Sequence, residues 1–135
     1  MRNVIVHHVG SHYTERQAET IRAFVRRRRD SRRKFLAKRL ETARRDRDAI
    51  ITEIARLYHP RGIYTWGSLV DDRHFSEMSD IDIALEGITD PASLSAIRGT
   101  AERMTTISVD IVALEHVHAA YADFIRRHGR LLHAD

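Results

Sequence analysis

The sequence predicts an α+β domain, a small mixed β-sheet backed by helices, that carries a long basic helical extension at its N-terminus. Three observations lead there. Helical periodicity dominates up to Tyr58, strand-like alternation takes over after Gly62, and charge divides between the two halves. Residues 1–57 hold 16 Lys/Arg against 7 Asp/Glu, whereas residues 58–135 hold 7 against 12. At 135 residues the chain is long enough for one hydrophobic core and too short for two. The expected division is therefore an extension over 1–35 and a domain over 36–135.

Thr14 followed by Gln17 reads as a capping box that opens a helix in which Ile21, Phe24 and Val25 are apolar. No apolar residue lies between Val25 and Phe35, which allows one long helix with an exposed middle or two helices meeting near Asp30-Ser31. Leu36, Leu40, Ala43, Ile50, Ile54 and Leu57 then recur at three- and four-residue steps, interrupted by Arg47, so one face should pack on a core. His59-Pro60 and Gly62 end that helix. Ile63 to Trp66 reads as a buried strand running into Gly67-Ser68, with Trp66 expected in the core. Asp80 to Glu86 alternates, so Ile81, Ile83 and Leu85 share one face and Asp80 and Asp82 the other. Asp90-Pro91 opens a helix towards Met104. Ile107 to Ile111 alternates again and turns Asp110 away from its apolar neighbours. A last helix, about Glu115 to Arg127, should bury Tyr121, Phe124 and Ile125, and Gly129 to Leu132 should form a short closing strand.

Two carboxylates at i, i+2 on a strand project side by side, about 6.6–6.8 Å apart along the chain, and can share magnesium. Should the Asp110 strand pair beside them, three carboxylates converge. Magnesium prefers carboxylate oxygen and usually leaves places for water and substrate phosphates. In a two-metal displacement the ions lie about 3.5–4 Å apart, one activating the attacking hydroxyl and the other neutralising the leaving group. Asp80, Asp82 and Asp110 are thus the candidate catalytic residues and metal ligands. Gly67 lets the backbone approach a phosphate, and Ser68 offers a hydroxyl and an amide, which makes both candidates for nucleotide binding.

The stretches Ile63-Tyr64-Thr65-Trp66-Gly67-Ser68, Ser79 to Gly87 and Val109 to Glu115 together resemble the minimal nucleotidyltransferases (MNT) of the DNA polymerase beta superfamily, over about Leu36 to Leu132. The resemblance implies a polymerase-beta-like sheet, ATP as donor and two magnesium ions as cofactor, while the lack of cysteine and of a bilayer-spanning stretch makes a soluble cytoplasmic protein the default expectation. Many members of the family are antitoxins paired with a helical HEPN-domain toxin, and some transfer AMP to a tyrosine of it. An adenylyltransferase acting on a HEPN partner is accordingly the leading expectation. A degenerate antitoxin acting by contact alone and a nucleotidyltransferase acting on RNA are the alternatives. The loop after Ser68 is one residue longer than usual in the family and carries Asp71-Asp72 where an arginine and a glycine are common, so Arg73 is the candidate to supply the positive charge there.

Remaining features are less specific. The absence of cysteine excludes disulfide and thiolate–metal chemistry, and no stretch approaches a bilayer span. His7, His8, His12, His116 and His118 are expected as surface residues. Arg26 to Lys34 reads as a solvated helical face first, then as a surface for an acidic protein or self-association, and last as a contact for nucleic acid.

Overall fold

The computed structural model describes residues 6–8 and 11–135, with side chains from Tyr13 onward, so His7, His8 and His12 lie outside the described side chains. Two compact units are present, Met1–Ala37 and Lys38–Asp135. In the first, strands β1 (Val6–His8) and β2 (Ser11–Tyr13) pair antiparallel. The capping box forms as expected: Thr14 N–H donates to Gln17 Oε1 at 2.9 Å and Gln17 N–H to Thr14 Oγ1 at 3.2 Å. It opens α1, a single helix from Glu15 to Tyr58. The polar stretch near Asp30-Ser31 does not break it, because it holds neither proline nor glycine and arginine is a good helix former.

Within Lys38–Asp135 the sheet order is β5-β4-β3-β6, formed by β3 (Gly62–Trp66), β4 (Ile81–Glu86), β5 (Val109–Ala113) and β6 (Arg130–Ala134). β4 and β5 are parallel, joined through α2 (Pro91–Met104), and the other two pairings are antiparallel. Asp90 caps α2 by accepting from Ser93 N–H at 2.9 Å, with Pro91 in the first turn. α3 (Ala119–His128) starts later than expected, because the His118 side chain accepts from Ala120 N–H and acts as its cap.

Strand alternation divides the sheet into two faces. Ile63, Ile81, Ile83, Leu85 and Ile111 pack with Ala43, Ile50, Ile51 and Ile54 of α1 and Leu94, Ile97 and Ala101 of α2. The opposite face, with Ala84 at its centre and Tyr64, Trp66 and Val112 at its edges, packs with Ala122 and Ile125 of α3. Arg47 does not interrupt the buried stripe of α1. It is itself buried, and its guanidinium is held by Asp48 at 2.9 Å. Leu57, expected in the stripe, is exposed. Tyr121 and Phe124 are also exposed rather than buried, at 39% and 50%, Phe124 because it walls an open cleft.

Between Glu15 and Ala37 the helix is largely exposed, including Ile21, Phe24, Val25 and Phe35. Among the described residues no helix is long and apolar enough to cross a membrane.

Ile54 is fully buried between α1 and the sheet. Ile54→Ala should cost about 2–5 kcal/mol of stability, as large-to-small core substitutions do. Urea denaturation of the purified chain measures this as a lower midpoint.

Candidate functional site

The site starts from strand register. Trp66 pairs with Asp82 across β3–β4, and Asp82 pairs with Asp110 across β4–β5. All three side chains point to the face that carries α3, and they form one row across three adjacent strands. Asp80, two residues before Asp82, adds a third carboxylate on that side and is exposed. Further along the same face the row becomes apolar, through Ala84, and α3 covers it.

Gly67 follows Trp66 with φ of +76°, a conformation that glycine adopts without strain. A methyl at this position would fall against Asp82 Oδ2. Absence of a side chain therefore lets the turn after β3 lie directly beside the carboxylate. That turn is a 3₁₀ helix over Gly67–Leu69, with Ser68 half-buried in its middle.

A residue that sequence reasoning missed holds this turn. Arg44 of α1 donates to the Leu69 carbonyl oxygen at 3.3 and 3.1 Å and reaches Asp72 Oδ2 at 3.5 Å. The contact spans 25 residues, and nothing local in the sequence marks one arginine among its many neighbours for it. The two acids of the loop are both paired. Asp72 faces Arg44, and Asp71 is gripped by Arg73 at 2.8 and 2.7 Å. The hydrogen bonds from Arg73 hold the Asp71 carboxyl down to about 2. Arg73, expected to face a phosphate, thus has its guanidinium closed on Asp71.

No such compensation reaches the central carboxylates. Among the described residues, Asp80, Asp82 and Asp110 make no ion pair or side-chain hydrogen bond. Burial first, then the charges of Asp110 and Asp80, push Asp82 up to about 7. The donor set fits a hard divalent cation in kind, being carboxylate oxygen throughout, and in charge, since a cation would relieve the field that raises Asp82. Closure is a separate matter. Among the described residues no three His, Cys, Asp or Glu side chains stand close enough together to hold a metal ion. Convergence is therefore one of strand register and not of a finished ligand set, as expected of like charges that repel.

Beside the row lies an open cleft of about 390 Å³, walled by Trp66, Gly67, Ser68, Asp71, Phe124 and His128 among others. Phe124 and His128 stack with ring centres 4.5 Å apart. Trp66 is half-buried between core and cleft, with its indole N–H buried and without a hydrogen-bond partner. Tyr121 meets it edge-on at 5.5 Å. Burial and the charges of Asp110 and Asp82 raise the Tyr121 phenol above its ordinary value. His116 is exposed, and His118 serves as the cap of α3.

No sequence-family model matches the chain, and no curated protein does. Solved structures do. A chain of a toxin–antitoxin complex with AMP-PNP aligns at 21% identity and a TM-score of 0.55, over 64% of this chain and 73% of that one. A complex of the tri-AMPylated HEPN toxin of Shewanella oneidensis with its MNT antitoxin gives 19% and 0.53, over 69% and 73%. A protein described as a minimal nucleotidyltransferase gives 23% and 0.56, over 67% and 93%. The fold is that of the minimal nucleotidyltransferases, as the motifs led us to expect.

The raised Asp82 pKa gives stability a direction with pH. Its folded value, about 7, exceeds the unfolded value of roughly 4, so folding binds a proton more tightly. In metal-free buffer, stability should be greatest below about pH 4 as far as this group is concerned, and should decline as pH rises to about 7. Carbon-13 NMR titration of the aspartate carboxyls should find Asp82 titrating near 7, and Asp82→Asn should flatten the decline.

Proposed function

We propose that the chain is a magnesium-dependent nucleotidyltransferase that moves AMP from ATP to a hydroxyl of a partner protein, and that it serves as the antitoxin of a HEPN toxin. One observation carries the reading. Asp82 and Asp110 are neighbours by strand register on an uncompensated acidic face, and the Gly67-Ser68 turn lies against Asp82 within the fold of the minimal nucleotidyltransferases.

The chemistry follows from the layout. Asp80, Asp82 and Asp110 would hold magnesium, which when bound lowers the pKa of an attacking hydroxyl and neutralises pyrophosphate. Ser68 and the backbone of the turn would hold the triphosphate, and Arg44 keeps that turn in place. The aromatic cleft beyond Gly67 suits the nucleoside. Support for ATP and for the partner comes from the similar structures, one a toxin–antitoxin with AMP-PNP and another containing an AMPylated HEPN toxin.

A second reading draws on two observations, the open arrangement of the carboxylates and the closure of Arg73 on Asp71. On that reading the chain neutralises its partner by contact alone.

Incubation with magnesium, labelled ATP and the product of the adjacent reading frame separates the two. The transferase reading expects label on the partner, lost in the Asp80→Asn, Asp82→Asn double variant together with neutralisation. If the double variant still neutralises the partner, contact suffices and transfer is not the mode of action.

A further inference from the structure

We infer that Tyr121 is itself an acceptor, so that the chain can place a nucleotidyl group on its own tyrosine. The inference rests on the proposed transferase reading and adds to it an acceptor within the same molecule. Tyr121 stands one helical turn before Ile125, which is fully buried against the sheet, and next to Ala122, also buried. By helical spacing Tyr121 therefore faces the sheet as Ile125 does. It nevertheless remains 39% exposed, because Trp66 meets its ring while the rest of the strand row is the acidic pair Asp82 and Asp110.

The ring is fixed by its edge contact with Trp66, 5.5 Å between centres and 89° between planes. Trp66 is the register partner of Asp82 and the residue before the Gly67 turn. The phenol lies within the electrostatic reach of both Asp110 and Asp82. The other two tyrosines of the domain do not share this position. Tyr64 packs in the α3 cluster opposite Ala84, and Tyr58 packs against the core on the far side of the sheet. A tyrosine that meets Trp66 beside the carboxylate row, and that is 39% exposed, has the placement that an acceptor needs.

In the step, Tyr121 Oη forms a bond to the α-phosphorus of a nucleoside triphosphate. The bond from that phosphorus to the oxygen bridging to the β-phosphate breaks, and pyrophosphate leaves with the electron pair. The phenolic proton is lost to solvent water. The product is a phosphodiester that carries a nucleoside over the carboxylate row, where it would obstruct any further acceptor. Self-modification would thus limit the chain's own activity.

The test uses the full chain with magnesium and ATP and no partner, read by intact mass and by peptide mapping. The expected result is one nucleotidyl group on Tyr121, formed at a rate per chain independent of protein concentration and absent from Tyr121→Phe. If label reaches the partner protein while Tyr121 stays unmodified, the inference is overturned and the transferase reading stands. Label on neither overturns both. A second readout needs no turnover. A non-hydrolysable ATP analogue, its binding established by calorimetry, should protect Tyr121 from acetylation by N-acetylimidazole, and unchanged reactivity with the analogue bound overturns the inference.

Discussion

The parallel pairing of β4 with β5 sets Asp82 beside Asp110, two carboxylates in adjacent register on one face of a sheet. Like charges so placed repel, and partial burial of Asp82 removes much of the water that would otherwise screen them. The fold holds the pair by force of its other face. Ile81, Ile83 and Ile111 alternate with the aspartates along the same two strands, and all are buried against α1 and α2. Each fully buried side chain of that size contributes on the order of 1.5–3 kcal/mol. The apolar face therefore fixes the register, and the acidic face is carried with it.

Other features of the site follow from this row. The turn after β3 can approach Asp82 only because Gly67 has no side chain, and Arg44 holds the far end of the same turn from α1. The ion pairs of Asp71 with Arg73 and of Asp72 with Arg44 keep the loop's own acids from adding to the negative field. α3 covers the sheet where its face is apolar and overhangs where it is acidic, which explains why Ile125 is buried and Tyr121 is not.

Most of the architecture was legible in the sequence because it rests on short periods. Alternation placed Asp82 and Asp110 on strand faces, with Asp80 falling just ahead of β4, Asp90-Pro91 located the start of α2, and Thr14 with Gln17 marked the capping box. What could not be read depends on contacts between distant residues. The role of Arg44 joins positions far apart in the chain. Arg73 was expected to serve a phosphate, and its closure on Asp71 depends on the conformation of one short turn. The apolar face of α3 could be predicted from its spacing, but spacing does not reveal whether the surface beneath is core or an acidic cleft. The polar middle of α1 was ambiguous because a lack of apolar residues signals exposure and not the end of a helix.

On the proposed reading, the carboxylate row becomes a cation site when a nucleoside triphosphate binds. A crystal structure grown with manganese in place of magnesium and a non-hydrolysable ATP analogue tests it most directly, since manganese is located by its anomalous scattering. Metal should be bound by Asp82 and Asp110, with Asp80 joining them and the triphosphate lying along Gly67-Ser68. A triphosphate bound elsewhere, or metal that does not touch Asp82 and Asp110, would contradict it.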